Sequence, residues 1–219
     1  HEGVLAAESG HIAVHEAGAI EASGHKVLTL PHHEGKVCAE DVERFMTDFY
    51  NDATHEHMVA PGMLYISQPT EYGTIYSLGE LESLSATCHR HDIPLYIDGA
   101  RLGYALAADG NDATLKDIAR LADIFYIGGT KCGALFGEAV VVTKPGGIKH
   151  LFSIIKQHGA LLAKGRLLGV QFATLFRDGL YERLGRNAVE QAMRLREVFE
   201  GAGYRSVVAS PTNQQFFSL

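Results

Sequence analysis

Two apolar segments are followed by the residues with the clearest chemical potential. Asp98 and Arg101 come after one of these segments, and Lys131 follows the other behind two glycines. A lysine with an unprotonated amine can form a Schiff base with a carbonyl compound. A carboxylate opposite it can keep a pyridine nitrogen protonated, so the pair suits pyridoxal phosphate (PLP). A surface lysine and a helix-capping aspartate remain the alternative at this point.

A pair of histidines offers a second candidate site. His11 and His15 are four residues apart and share one face of a predicted helix, with Glu16 next in the chain. A metal site is one interpretation, although the order is not HExxH and no third ligand has a helpful spacing. A histidine can also stack on an aromatic cofactor or act as a general base. Partly buried histidines with satisfied nitrogens are a third possibility, and the other histidines are expected on the solvated surface.

Basic residues in a glycine-punctuated stretch form a weaker candidate. Lys164 and Arg166 lie between Gly159 and Gly169, where they could contact a phosphate across a subunit boundary or simply cover a solvated helix face. The sequence contains neither GxGxxG nor GxxxxGK[ST]. The sequence therefore contains no motif typical of dinucleotide or nucleoside-triphosphate binding.

The elements that position these residues alternate between strand and helix. Apolar runs predict strands over 4–7, 27–30, 63–67, 93–97, 123–127 and 139–143. Helices are predicted over 12–23, around 42–49, after the possible capping box of Ser77 and Glu80, and over most of 147–200 with a break near 178–179. This alternation predicts an α/β fold with a mostly parallel sheet flanked by helices. Ligands of such sheets bind beyond the carboxyl ends of the strands.

Composition narrows the classes of function. The 219 residues are 46% hydrophobic and 21% charged, as in globular proteins, and the net charge is −7. Sequence-independent binding of nucleic acid needs a basic surface, so the acidic net charge disfavours a nucleic-acid-binding function. No apolar run approaches the roughly 20 residues of a membrane span. Three cysteines without a CxxC pair fit a reducing cytoplasm better than a disulfide scaffold.

Three segments and their order along the chain resemble one enzyme family. They are 9–19 (SGHIAVHEAGA), 98–101 (DGAR) and 129–131 (GTK). Together they resemble the low-specificity L-threonine aldolases, which are PLP enzymes of the aspartate-aminotransferase-like fold related to the beta-eliminating lyases. The resemblance covers essentially the whole chain.

The resemblance implies a role for each candidate residue. Lys131 is expected to hold PLP as the internal aldimine, and Asp98 to pair with the pyridine nitrogen. His11 is expected to stack on the ring and is a candidate for proton transfer, while Arg101 orients the cofactor or the substrate carboxylate. Lys164 is expected to reach the phosphate of a neighbouring subunit. The implied reaction cleaves a β-hydroxy-α-amino acid of the threonine or allo-threonine type to glycine and an aldehyde.

The resemblance also implies an organisation and leaves alternatives. We expect a homodimer or homotetramer, a PLP-binding large domain over 1–178 that lacks its N-terminal part, and the beginning of a small C-terminal α/β domain over 179–219. The first residue is not methionine and 215–219 reads as a strand, so we expect part of a longer protein. β-Elimination or other amino-acid chemistry on the same fold, and an inactive fragment that serves as an interaction domain, are the alternatives.

One departure from the family pattern concerns the base that acts on the substrate hydroxyl. Many of these aldolases carry a second histidine in the segment that aligns with 67–73, and Thr70 stands at that place here. The residue that removes the proton from the β-hydroxyl is therefore an open question at the level of sequence.

Overall fold

The computed structural model describes residues 2–219. Its strands are β1 (Glu2–Ala7), β2 (Lys26–Leu30), β3 (Ala60–Ser67), β4 (Leu95–Asp98), β5 (Ile124–Ile127), β6 (Ala139–Val142), β7 (Arg205–Ser206) and β8 (Phe217–Ser218). Its α-helices are α1 (His11–Val14), α2 (Ala19–Ala22), α3 (Ala39–Asn51), α4 (Leu78–Arg90), α5 (Leu102–Ala107), α6 (Leu115–Leu121), α7 (Leu151–Gln157), α8 (Arg166–Leu175) and α9 (Leu180–Gly201).

Six of the strands form one sheet in the order β2-β1-β3-β4-β5-β6. Neighbouring strands from β2 to β5 pair in parallel, and β6 pairs antiparallel to β5 at one edge. The predicted α/β fold with a mostly parallel sheet is confirmed. The five parallel strands have their carboxyl ends on the same side of the sheet. The segments that follow these strands therefore lie close together.

The two faces of the sheet bury different cores. Alternation along the strands sends Leu5, Leu64 and Ile97 to one face, where they join the larger cluster with residues of α3 and α4. Val4 and Tyr65 point to the other face and belong to a smaller cluster. Side chains at even positions of β4 and β5 therefore lie on the face with the smaller core.

The predicted helix over 12–23 is two short helices instead. Helix α1 ends after Val14, and the chain then passes through Ala17 and Gly18, whose φ angles are 49° and 71°. Residues in this left-handed region cannot continue a right-handed helix. The helical periodicity of the segment did not reveal this break.

Two predicted helix boundaries are confirmed by their local geometry. Helix α4 begins with the capping box, in which Glu80 N–H donates to Ser77 Oγ at 3.3 Å and Ser77 N–H donates to Glu80 at 2.7 Å. The break near 178–179 precedes α9, where Asp178 and Gly179 have φ angles of 52° and 66°.

Helix α9 docks on helix α5 and on the turn that follows β5. The buried Tyr181 hydroxyl donates to the Gly128 carbonyl at 2.9 Å and accepts from Gly103 N–H at 3.1 Å. Strands β7 and β8 form a separate two-stranded sheet after α9. The division into domains 1–178 and 179–219 remains a prediction. None of the helices between residues 2 and 219 has the length and apolarity needed to cross a bilayer.

Candidate active site

A polar cleft lies where β1, β3, β4 and β5 end. Its lining residues are His11, Glu16, Ser67, Pro69, Thr70, Glu71, Asp98, Ala100, Arg101, Tyr126 and Lys131. The structure thus brings together four of the five residues to which the resemblance assigns a role, namely His11, Asp98, Arg101 and Lys131. Lys164 does not line this cleft and lies in an exposed segment between α7 and α8.

Strand register places Asp98 beside two tyrosines. Tyr65 pairs with Tyr96 across β3 and β4, so Asp98 lies one pleat further along on the same face. One Asp98 oxygen accepts from the Tyr65 hydroxyl, and the other accepts from Ala100 N–H at 2.8 Å. Only 8% of Asp98 is exposed. Register and backbone together therefore fix the orientation of this carboxylate.

The tyrosines around Asp98 remain protonated. Burial, and next the negative charge of Asp98, raise the pKa of Tyr65 and of Tyr126 well above the usual range. The same causes raise the pKa of Tyr96 to about 12. Such hydroxyls can donate to a carboxylate but cannot neutralise it. No lysine, arginine or histidine within 2–219 forms an ion pair with Asp98, so its environment suits a cationic ligand.

Lys131 enters the cleft from the turn after β5. Its backbone carbonyl accepts from the Tyr104 hydroxyl, and its side chain is exposed. The turn is also tied to Glu138, which accepts from Gly129 N–H and, at 2.6 Å, from the Thr130 hydroxyl. In the described part of the chain the Lys131 amine has no ion-pair partner. The turn is thus anchored while the amine stays available for reaction.

The glycines beside Lys131 serve backbone packing. A Cβ on Gly128 would collide with the Ala100 carbonyl, and one on Gly129 with the Gly137 carbonyl. Gly99 is equally restricted, because its Cβ would meet the Tyr126 carbonyl. The turns after β4 and β5 pack directly against each other, backbone against backbone, with no room for a side chain at these glycines. This contact sets the position of Asp98 relative to Lys131.

Replacement of Gly128 with alanine is expected to lower stability by roughly 3 kcal/mol, at the upper end for overpacking, because the colliding atom is backbone and cannot rotate away. Urea unfolding of the intact protein measures the loss. Gly79→Ala is the matched control, because nothing lies near its Cβ and alanine favours a helix by up to about 1 kcal/mol. Equal urea midpoints for Gly128→Ala and the unchanged protein would contradict close backbone packing at this glycine.

His11 lies at the first turn of α1 with its ring oriented by Glu16. Nδ1 of His11 lies 2.5 Å from Glu16 Oε1. Because a carboxylate only accepts, Nδ1 carries the hydrogen and Nε2 is left for the cleft. His15 is exposed, and its ring centroid lies 5.4 Å from that of His11. Among residues 2–219 no group of three or more histidine, cysteine or acidic side chains is placed to bind a metal ion.

The turn after β3 is held by bonds from distant parts of the chain. The side chain of Gln68 bonds both the carbonyl and the N–H of Tyr76, at 3.1 and 2.9 Å. The Gly73 carbonyl accepts from the hydroxyls of Ser210 and Thr212, at 3.1 and 3.0 Å. The turn is therefore a rigid support for the side chains that it presents to the cleft.

Within this turn, Glu71 is the acid that sequence reasoning missed. The Thr70 hydroxyl is buried and is engaged by Thr74 at 2.6 Å. Glu71 Oε1 accepts from His11 N–H at 2.9 Å and from the Ser67 hydroxyl at 2.7 Å. The available signal was that Glu71 is the one carboxylate in the segment 67–73.

Two histidines expected on the solvated surface have specific neighbours. His32 lies over Tyr72, with ring centroids 5.7 Å apart, and borders a second cleft beside the first. His91 is largely covered and lies 3.0 Å from Glu43. Both histidines follow helix or strand ends, where sequence alone does not distinguish a covered position from an open turn.

The fold and the family follow from comparison with known proteins. The structure matches the aspartate aminotransferase of Thermus thermophilus with a TM-score of 0.72 and 15% identity, over 96% of this chain and 53% of that one. The chain thus has the fold of the aspartate-aminotransferase-like, PLP-dependent enzymes. It belongs to the beta-eliminating lyase family, whose model matches residues 1–219.

Threonine aldolases are among its relatives. The structure matches the threonine aldolase of Leishmania major with a TM-score of 0.93 and 47% identity, over 99% of this chain and 62% of that one. The low specificity L-threonine aldolase of Pseudomonas sp. (strain NCIMB 10558) is 30% identical over 84% of this chain and 52% of its own length. The resemblance seen in the sequence is confirmed. The chain spans about half the length of the curated relatives it matches.

Proposed function

We propose that the protein is a PLP-dependent lyase that cleaves a β-hydroxy-α-amino acid of the threonine or allo-threonine type to glycine and an aldehyde. The observation that carries this proposal is the cleft itself. Asp98 is buried without a cationic partner in the described chain, and Lys131 enters the same cleft with no ion pair. The 47% identity to a threonine aldolase supports the choice of substrate class.

The residues of the cleft fit PLP by their chemistry. Lys131 would hold the cofactor through its amine, and Asp98 would hold the protonated ring nitrogen. Bound PLP supplies an electron-withdrawing ring that stabilises negative charge at the substrate Cα. His11 would lie against the ring, with its orientation set by Glu16. Arg101 would orient a carboxylate or phosphate through its guanidinium fork.

Product analysis tests this function. The intact protein with added PLP is incubated with L-threonine and L-allo-threonine, and acetaldehyde and glycine are measured. Equal amounts of both products are expected. Ammonia with 2-oxobutanoate would instead show β-elimination on the same fold. Absence of every product, with PLP bound, would contradict lyase activity on these substrates.

We also propose that the protein forms a homodimer or homotetramer, because the region after Lys131 exposes large apolar side chains. Leu135 is 87% exposed, Phe152 68% and Val170 61%. Apolar surface of this kind is typical of subunit contacts. Lys164 lies in the same region, where it could reach a phosphate in the neighbouring subunit. Light scattering of the intact protein is expected to give two or four times the mass of the chain.

The remaining parts of the proposal concern organisation and compartment. We propose that residues 1–178 belong to the PLP-binding domain and that 179–219 begin a smaller one, in line with the separate sheet of β7 and β8. We further propose a cytoplasmic location. The three cysteines are free in the structure, and Cys88 and Cys132 are buried, which is compatible with a reducing compartment.

A further inference from the structure

We propose that Glu71 is the general base that removes the proton from the β-hydroxyl of the substrate. This inference rests on the proposed aldolase function. Thr70, which stands where many relatives of this family carry a histidine, cannot take that role, because its hydroxyl is buried against Thr74 and the Glu34 carbonyl. Glu71, the next residue, presents its carboxylate to the cleft that contains Asp98 and Lys131.

One oxygen of Glu71 is fixed and the other is available. Oε1 accepts two hydrogen bonds, from His11 N–H at 2.9 Å and from the Ser67 hydroxyl at 2.7 Å. Oε2 has no hydrogen-bond partner anywhere in 2–219. A carboxylate that is held through one oxygen and lines a cleft can accept a proton there at its other oxygen.

The other carboxylates of the cleft already have partners. Asp98 accepts from Tyr65 and from Ala100 N–H, and this carboxylate is the one assigned to the ring nitrogen. Glu16 is bonded to His11 Nδ1. Glu71 differs from both, because one of its oxygens is held by two hydrogen bonds and because it also lines the second cleft, which Glu16 and Asp98 do not.

Glu71 also lies at the boundary between two clefts. The second cleft has a volume of about 490 Å³, and Glu71 lines it together with His15, His32, Tyr72 and Phe216. The first cleft contains the charged groups that would hold the cofactor and the amino-acid moiety. A substrate that reaches from the first cleft into the second places its Cβ at the boundary, within reach of Glu71. The second cleft would then accommodate the substituent on Cβ.

The cleavage conserves protons and electron pairs. The β-hydroxyl proton passes to Glu71 Oε2, and the electron pair of the O–H bond becomes the second bond of the aldehyde carbonyl. The Cα–Cβ bond breaks and its electron pair is left on Cα. PLP, if held by Lys131 and Asp98, would supply the stabilisation of that charge. Cα then takes up a proton to give glycine, and Glu71 returns its proton to water.

The decisive variant is Glu71→Gln in the intact protein loaded with PLP. Glutamine has the same shape, and its amide oxygen can still accept from His11 N–H and Ser67, but it is not a base. Cleavage of threonine is expected to fall about 10²-fold, the lower range for loss of a general base. Exchange of the glycine α-proton with D2O, followed by NMR, needs no β-hydroxyl and should change less than about threefold.

Further variants and outcomes keep the inference falsifiable. Glu71→Asp retains a carboxylate that is one methylene shorter and should cleave threonine faster than Glu71→Gln. Glu82→Gln, which disrupts an exposed pair with Arg120, is the matched control and should leave both rates unchanged.

Threonine cleavage by Glu71→Gln at the unmodified rate would overturn the inference. A parallel fall in glycine exchange would overturn it as well, because it would assign Glu71 a positioning role. If the unmodified protein exchanges glycine but does not cleave threonine, the aldolase function itself fails.

Discussion

Lys131→Ala is expected to abolish the yellow absorption that the protein acquires with PLP and to lower threonine cleavage by more than about 10⁴-fold. Alanine leaves no amine in the cleft to hold the cofactor covalently. In the structure the Lys131 side chain is exposed to the cleft, and the turn that carries it is anchored through its backbone and through Glu138. The substitution should therefore remove the amine without unfolding the turn.

The visible spectrum of the purified protein, with and without added PLP, measures this effect independently of turnover. Lys144→Ala is the matched control, because Lys144 bonds Asp123 at 2.7 Å at the amino end of β5, away from the cleft. It should keep both the spectrum and the activity. A yellow band that persists in Lys131→Ala, stable to dialysis, would assign the cofactor to another lysine.

Asp98→Asn is expected to lower kcat for threonine cleavage by roughly 10³-fold, in line with the loss of a preorganised charge. Asparagine preserves the size of the side chain, and the Tyr65 hydroxyl can still donate to its amide oxygen. The negative charge that would keep the ring nitrogen protonated is lost. The neighbouring tyrosines cannot replace it, because burial, which is the largest cause of the raised pKa of Tyr65 and Tyr126, persists when the Asp98 charge is removed.

The measurement for Asp98→Asn is kcat at saturating PLP and threonine, together with the PLP dissociation constant. Asp109→Asn, at an exposed position after α5, is the control and should match the unmodified protein. A kcat for Asp98→Asn within a few-fold of that value would show that the ring nitrogen needs no carboxylate partner. The role assigned to Asp98 would then be wrong.

The fold was largely predictable from the sequence because the strands are short apolar runs separated by helical patterns. Observed strand β4 at 95–98 and β5 at 124–127 lie within two residues of their predicted positions. The antiparallel direction of β6 was not predicted, since an apolar run carries no sign of direction. The break between α1 and α2 was missed because Ala17 adopts a positive φ. Alanine rarely does so and normally favours a helix, so its residue type predicted no break.

The cleft was predictable only where its residues directly follow strands. Asp98 and Lys131 stand at such positions, so their side chains were expected near one another. Glu71 was not singled out, because its place depends on a turn that is held by bonds to Ser210 and Thr212. Contacts between residues this far apart in the chain leave no local pattern. Thr70 is buried and its neighbour Glu71 is half-buried, and this difference is likewise a property of the folded turn.

The long-range anchoring of this turn has a consequence for the order of folding. The hydroxyls that hold the Gly73 carbonyl come from residues 137 and 139 positions further along the chain. At roughly 5–20 residues per second, about 7 to 28 seconds of synthesis separate Gly73 from these partners on the ribosome. The parallel sheet can pair in that interval, whereas the Glu71 turn receives its last anchors only afterwards. During synthesis the part of the cleft formed by this turn is therefore completed late, after the parallel sheet can pair.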